Sequence, residues 1–252
     1  MTPLEIAILL AAALLAGAMN AVAGGGTILT FPALLAFGMP AIQANATSTL
    51  ALVVGLVGSA YAYRTHMPAI KPWLFRFGPA SVIGGIFGAW LLTVTPEKTF
   101  STLVPFLLLF ATVLFMIQGI VRRWISLDHQ TVHFGVLGIV AQLLIAIYGG
   151  YFGAGIGILM LAAFGFLGFT NIHQMNALKT ILASAINLIA ALYFIVSGLI
   201  AWPQAAVLSV GATLGYFVGA HYSQKIPEAR VRQLVVLIGL LITVSLFWKQ
   251  FA

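Results

Sequence analysis

Long apolar runs, separated by short polar links, constrain this sequence more than any other feature. A helix needs about 20 consecutive apolar residues to cross the hydrocarbon core of a bilayer. Eight runs reach or approach that length: Leu4–Ala23, Ala41–Tyr63, Trp73–Val94, Phe100–Val121, His133–Phe152, Ile172–Ser197, Pro203–Tyr222 and Val231–Trp248. Only 6% of the residues are charged, whereas soluble domains carry about 25%, so this chain could not cover a surface in water. The sequence predicts an all-α polytopic membrane protein.

Two shorter apolar stretches, Thr27–Phe37 and Ile156–Gly168, do not fit this pattern of full spans. Each follows a cluster of glycines and precedes a polar segment. Because each is too short for a comfortable crossing, we expect half-helices or short tilted helices that follow a helix break.

The chain repeats itself when it is shifted by 131 residues without gaps, which predicts an N-terminal repeat over 1–125 and a C-terminal repeat over 132–252. Because glutamine, asparagine, proline and glutamate are rare in this sequence, chance is a poor explanation for their matches between the two halves. The matching segments are Ala23-Gly24-x-Gly26 with Ala154-Gly155-x-Gly157, Gln43-x-Asn45-Ala46-x-x-Thr49 with Gln174-x-Asn176-Ala177-x-x-Thr180, and Pro96-Glu97 with Pro227-Glu228. Transporter folds are often built from two such repeats.

The basic residues orient these repeats, because cytoplasmic loops carry an excess of Lys and Arg. Three basic groups are assigned to the cytoplasm: Arg64 with Lys71 and Arg76, Arg122 with Arg123, and Lys225 with Arg230 and Arg232. Matching loops then lie on opposite faces, so the repeats are predicted to be inverted, with five segments each and both termini outside. The net charge of +7 does not indicate nucleic-acid binding, because the basic residues are spread between apolar runs.

The glycine clusters Gly24-Gly25-Gly26 and Gly149–Gly157 allow two interpretations. One is close helix packing through small residues, and the other is helix breaks that free main-chain N–H groups inside the membrane. Glycines at the same repeat positions in both halves, Gly24 with Gly155 and Gly26 with Gly157, favour breaks, and free N–H groups at a helix start can bind an anion. A dinucleotide-binding fingerprint is rejected, since it requires a strand and an acidic ribose ligand. Tyr148 and Tyr151 flank the second cluster and are candidates to line a pocket.

A polar segment opens the long run after each short stretch. These candidate binding residues are Gln43, Asn45, Thr47, Ser48 and Thr49 in the first half, and Gln174, Asn176, Lys179 and Thr180 in the second. Helix capping by Asn or Thr is the simpler interpretation, but it accounts for one residue in each segment. With the glycines Gly24, Gly25, Gly26, Gly155 and Gly157, these side chains predict a pocket for a small anion.

Lys179 is the most informative residue, because it lies inside the run Ile172–Ser197, about 10 Å from its start at 1.5 Å per residue. An ionisable residue within a membrane segment is costly and is by default a functional candidate. The alternative is a lysine whose ammonium group snorkels to the interface. All four acidic residues, Glu5, Glu97, Asp128 and Glu228, fall near the ends of runs.

The ordered motifs resemble the TauE/SafE family of sulfite and sulfonate permeases. They are Ala23-Gly24-Gly25-Gly26-Thr27, Phe31-Pro32, Gly38-Met39-Pro40, Asn45-Ala46-Thr47-Ser48, Gly153-Ala154-Gly155-x-Gly157 and Asn176-Ala177-x-Lys179. The resemblance covers nearly the whole chain. It implies a multi-pass carrier of the inner membrane, with exporters of small sulfur-containing anions among its members, and a central anion site where the polar segments of both halves meet.

These features together predict a secondary transporter that moves a small anion, such as sulfite or a sulfonate, by alternating access around a midplane site. The membrane potential favours export, by about 2.3 kcal/mol per charge at 100 mV. An anion channel stays open as an alternative. An intramembrane enzyme is disfavoured because hydrolytic motifs are absent, and a retinal-type photoreceptor because it needs a buried carboxylate. No cofactor or metal is expected; the expected partners are the anion and the lipid bilayer, and a homodimer is left open.

Overall fold

A computed structural model of the chain describes residues 1–22, 25–62, 67–125, 135–169, 171–222 and 228–251. Within these ranges the chain folds into ten α-helices and forms no strand. In chain order the helices are α1 (Pro3–Val22), α2 (Thr27–Ala36), α3 (Ala41–Ala62), α4 (Met67–Val94), α5 (Glu97–Ile125), α6 (Val136–Tyr151), α7 (Ile156–Phe166), α8 (Ile172–Val196), α9 (Trp202–Tyr222) and α10 (Glu228–Phe251).

Each of the eight long runs and two short stretches coincides with one helix, so the prediction of an all-α polytopic membrane protein is confirmed. Among the described residues, four helices are long and apolar enough to cross a membrane, namely α1, α4, α5 and α8. The two shortest, α2 and α7, have 10 and 11 residues, which at 1.5 Å per residue is about half the thickness of a hydrocarbon core.

The start of α4 corrects one expectation. The apolar run begins at Trp73 and the basic residues Lys71 and Arg76 predict a loop, but the helix begins at Met67 and includes both. Both side chains are exposed. Lysine and arginine are good helix formers, so the helix can begin before the apolar run and continue through Arg76.

Glycines bring pairs of helices from different halves of the chain into direct contact. A Cβ atom on Gly84 of α4 would lie 2.6 Å from the Cβ of Ala146 of α6, and one on Gly88 would lie 2.8 Å from the main-chain N of Tyr151. Residue numbers rise together along this contact, so α4 and α6 run parallel. The same parallel packing joins α1 and α9, where Gly211 meets Ala13 and Gly219 meets Ala18.

The last helix of each half packs against the other with opposite direction. Gln250 of α10 donates to the carbonyl of Thr102 of α5 at 3.4 Å, and the rings of Phe106 and Phe247 lie 5.0 Å apart. Further along, Gly239 lies beside Thr112. Along this contact the residue numbers decrease in α10 as they increase in α5, so the two helices are antiparallel. In inverted repeats, the equivalent helices of the two halves run antiparallel, as α5 and α10 do. The full repeat relationship of the two halves stays a prediction.

Candidate functional site

The first helix break separates α1 from α2. Gly25 has φ +90°, a conformation that side chains rarely adopt, and a Cβ atom there would fall on the ring of Phe115. The N–H group of Gly26 donates to Oδ1 of Asn20 at 2.7 Å, which holds the start of α2 against the end of α1. The predicted site residue Gly24 lies outside the described residues.

The second break separates α6 from α7 and rests on Gly153 and Gly155, with φ +82° and φ +79°. The first two glycines of this cluster do not belong to the break. Gly149 and Gly150 lie within α6, and Gly150 packs directly on the main chain of Gly85 in α4. The two interpretations of the glycine clusters, helix breaks and close packing, are therefore both realised, at different glycines of the same cluster.

The polar head of α3, defined here as residues 43–49, is buried inside the bundle. Asn45, Thr47 and Ser48 have no exposed surface, and Thr49 is 8% exposed. Nδ2 of Asn45 donates to the carbonyl of Tyr151 at the end of α6, over 3.0 Å. Its Oδ1 atom is buried and has no hydrogen-bond partner among the described residues. A buried amide with an unused acceptor is available to a ligand.

The hydroxyl groups of the α3 head bond to α2, to the segment just before α9 and to α3 itself. Ser48 Oγ lies 2.6 Å from Oγ1 of Thr30 in α2. The hydroxyl group of Thr30 donates in turn to the carbonyl of Gly26. Thr47 Oγ1 accepts from the N–H group of Ala201, just before α9. Thr49 donates back to the carbonyl of Asn45 within α3. Gln43 is half-buried.

The polar head of α8, defined here as residues 174–180, carries the positively charged residue of the candidate site, Lys179. Lys179 Nζ donates to Oδ1 of Asn176 at 3.2 Å. A Cβ atom on Gly157, the second residue of α7, would lie 3.2 Å from Cδ of Lys179, so the lysine stem rests on the first turn of α7. Lys179, Asn176, Gln174 and Thr180 are all half-buried. The start of a helix carries a partial positive charge, and the lysine adds a full charge beside it.

Other residues cap the two heads, so the interpretation of the heads as simple helix caps is wrong. The carboxylate of Glu97 accepts from the N–H groups of Ala41 and Ile42 at the start of α3. At the start of α8, the side chain of Asn171 accepts from His173 and Gln174. Asn45 and Asn176 lie within their helices, one turn beyond these caps.

Ser48 and Lys179 occupy matching positions, since 48 and 179 differ by 131. Ser48 reaches Gly26 through Thr30 at the start of α2, and Lys179 rests on Gly157 at the start of α7. Each half therefore places a polar side chain of its long helix beside the start of its own short helix. The structure pairs Asn45 with Tyr151 and Asn176 with Lys179, and the meeting of both polar segments at one anion site stays a prediction.

A family model described as "Sulfite exporter TauE/SafE" matches residues 9–246. The chain belongs to the TauE/SafE sulfite exporter family. It is 30% identical over 252 residues to a probable membrane transporter protein, ORF9, of Sinorhizobium sp, with 96% of this chain and 92% of that protein covered. It is 28% identical to a probable membrane transporter protein of Haemophilus influenzae, covering 97% and 95% of the two chains.

The TauE/SafE assignment makes this chain a multi-pass membrane transporter. The probable membrane transporter protein YfcA of Escherichia coli is 25% identical over 251 residues, covering 99% of this chain and 92% of that protein. The family and these relatives are described as transporters and not as enzymes. No solved structure matches the chain significantly.

Several residues around the TauE/SafE helix breaks were not singled out from the sequence. Asn20 and Thr30 bond to Gly26, and Oδ1 of Asn187 in α8 would lie 3.3 Å from a Cβ atom on Gly153. Isolated amides inside apolar runs could have pointed to Asn20 and Asn187. The edge-to-face contact of Phe31 and Phe152, 5.5 Å between ring centroids, joins α2 to the second break. No sequence feature pointed to this contact, because Phe31 and Phe152 are apolar residues within apolar runs.

The candidate site of this TauE/SafE protein consists of amides, hydroxyl groups, main-chain N–H groups and one ammonium group. Within the described ranges, no cluster of three or more His, Cys, Asp or Glu side chains could hold a metal ion. Donor groups of this kind bind oxygen atoms of an anion, and charge-assisted bonds from an ammonium group are the strongest of them.

Proposed function

We propose that this TauE/SafE protein is a secondary transporter that exports a small sulfur-containing anion, such as sulfite or a sulfonate, across the inner membrane. The observation that carries the proposal is the position of Lys179, whose ammonium group bonds to Asn176 while its stem rests on the first turn of α7. The substrate site lies between the two helix breaks and includes the polar heads of α3 and α8.

The electrostatics of this position favour an anion. Two unit charges 4 Å apart interact by about 1 kcal/mol in water, but by roughly 4 kcal/mol near a protein surface with an effective dielectric constant of 20. Lys179 is half-buried, so its attraction for an anion exceeds that of a lysine in water. The partial positive charge at the start of α7 acts in the same direction.

The polar groups around Lys179 and the α3 head suit a ligand with several acceptor oxygens. Sulfite and sulfonate groups carry three oxygen atoms on one sulfur. An ammonium group has three donors, and hydroxyl groups can rotate to donate. The hydroxyls of Ser48 and Thr30 now donate to Thr30 and to the carbonyl of Gly26, and rotation of either hydroxyl would redirect its proton to a bound anion. A monocarboxylate has two acceptor oxygens and would use fewer of these donors.

Alternating access requires contacts between the halves that can form and break. Asn45 of the first half bonds to Tyr151 of the second, and Ala201 of the second half donates to Thr47 of the first. We infer that these two hydrogen bonds close one entrance to the site. The antiparallel packing of α5 and α10 supports a two-fold relation between the halves, and rocking of such halves would open either face in turn.

A flux assay with the purified full-length protein in liposomes tests the proposal. Sulfite, a sulfonate, a monocarboxylate and chloride are loaded in turn, and efflux is followed under an imposed membrane potential. We expect saturable efflux of sulfite or the sulfonate, which unlabelled substrate inhibits. Equal efflux from protein-free liposomes, or flux of chloride alone, would contradict it.

Counterflow separates a carrier from a channel. Unlabelled substrate inside the liposomes should drive transient accumulation of labelled substrate from outside, because a carrier returns with either molecule bound. A channel lets both species run down their gradients independently, so the absence of accumulation would favour the channel.

A further inference from the structure

A cavity of about 710 Å³ opens between the end of α2, the start of α5 and the end of α10. None of the predicted site residues lines it. Its volume lies within the range of roughly 300–1,000 Å³ that is typical of ligand pockets. The neighbouring faces of α5 and α10 carry exposed apolar side chains such as Phe106 and Val244, so the cavity opens beside the lipid-facing surface of the bundle.

The cavity is apolar along most of its length and polar at one end. Pro32, Val104, Ile242 and Leu246 contribute to the apolar walls, and the whole lining extends along α10 from Leu241 to Lys249. Eight residues of helix correspond to about 12 Å. This length would hold the glycerol region and the first part of an acyl chain.

The polar end includes Ser101, Lys249 and Gln250. Trp248, beside Lys249, is 75% exposed, as expected of a tryptophan at the membrane interface. Glu97 is the one acidic residue among the described residues that line the cavity. Its carboxylate is held by the N–H groups at the start of α3 and by Ser101, and Lys249 is the basic residue of the lining that can pair with an anionic headgroup.

We propose that this cavity binds an anionic phospholipid, with the phosphate near Lys249 and an acyl chain along α10. The shape and the charge support the same occupant, because a phospholipid is anionic at one end and apolar along the rest. The surrounding bilayer also supplies this ligand at high local concentration. The proposed lipid site is separate from the proposed anion site and does not depend on the transported substrate.

Native mass spectrometry of the full-length protein with added phosphatidylglycerol tests this site. We expect the wild-type protein to retain phosphatidylglycerol and to retain phosphatidylcholine less. Lys249→Gln should weaken phosphatidylglycerol retention about fivefold, which corresponds to roughly 1 kcal/mol per lysine near a membrane surface. Lys98→Gln is the matched control, since Lys98 is also exposed near the start of α5 but does not line the cavity.

A second pair of variants tests the cavity by filling it. Ser245→Trp adds a large side chain to the wall, and Val244→Trp adds the same side chain at an adjacent exposed position outside the lining. Lipid retention should fall in the first variant and persist in the second, with thermal unfolding as the check that both fold. Equal retention within either pair would overturn the site, and so would a wild-type dimer without lipid, which would assign the cavity to a second copy.

Discussion

Nδ2 of Asn45 donates to the main-chain carbonyl of Tyr151 over 3.0 Å, and this bond joins the head of α3 to the end of α6. The last carbonyl groups of a helix have no partner within it, and Asn45 supplies one from the other half of the chain. The same side chain keeps its Oδ1 atom unused. Asn45 thus links the two halves and also presents an acceptor to the interior.

Asn45→Ala should lower the free energy of unfolding by about 0.5–1.5 kcal/mol for the lost hydrogen bond. It should also slow transport, because the α3 head is no longer held on the second break. Thr95→Ala is the control, since Thr95 donates to the carbonyl of Leu91 at the end of α4 and lies outside both polar heads. Unfolding in detergent and flux in liposomes measure both effects. An unchanged Asn45→Ala variant would remove this residue from the site.

Lys179→Met keeps the stem on Gly157 and removes the charge, so the fold should survive while anion affinity falls. A hydrogen bond to a charged group contributes about 1.5–3 kcal/mol, which predicts a loss of roughly ten- to hundredfold in apparent affinity. Lys179→Arg should be intermediate, because arginine keeps the charge with a different donor geometry.

Lys71→Met serves as the control for the lysine experiment, because Lys71 is exposed on α4. Substrate dependence of flux should be unchanged in this variant. If Lys179→Met also transports with wild-type affinity, the lysine is a snorkelling residue without a role in binding.

Gly25→Ala and Gly38→Ala separate backbone strain from steric clash. Both glycines have positive φ, 90° and 78°, but a Cβ atom on Gly25 strikes Phe115, whereas none lies within 4 Å of one on Gly38. Gly38→Ala should cost about 1–2 kcal/mol of stability from the left-handed conformation alone. Gly25→Ala should cost more and disturb transport. Similar stability losses would show that the ring of Phe115 moves aside easily.

The double variant Thr47→Cys with Ala201→Cys tests whether their contact must open. The natural chain has no cysteine, and the 3.1 Å hydrogen bond from the N–H group of Ala201 to Thr47 Oγ1 makes the two residues direct neighbours. Oxidation should stop transport, reduction should restore it, and neither single variant should respond to the oxidant. Full transport with a complete disulfide would show that this entrance does not open there.

Cysteine labelling tests the inverted topology. Thr65 follows the first basic residue of its loop and lies outside the described residues, while Ser197 ends α8, and the two occupy nearly matching loops of the predicted repeats. Thr65→Cys and Ser197→Cys should react with an impermeant reagent from opposite faces of the membrane. Labelling from the same face would exclude inverted repeats.

The ten helices could be predicted because each depends on a contiguous apolar run, and membrane burial requires the main chain of such a run to bond within itself. The helix breaks could also be predicted from the local sequence, because only glycine takes φ near +80° without strain. The same reasoning failed at Gly149 and Gly150. A glycine that breaks a helix and one that lets another helix approach look alike until the neighbour, here α4, is known.

The helices, the polar heads and the matched positions of Ser48 and Lys179 can be read from the amino-acid order, because they follow from hydropathy and from the spacing of rare residues. The contacts of the two heads depend on how the helices pack. Asn45 bonds to a carbonyl 106 residues away, and Thr47 to an N–H group 154 residues away. Their partners are main-chain atoms, which every residue carries, so the sequence holds no pattern that distinguishes them. Packing alone brings them within reach.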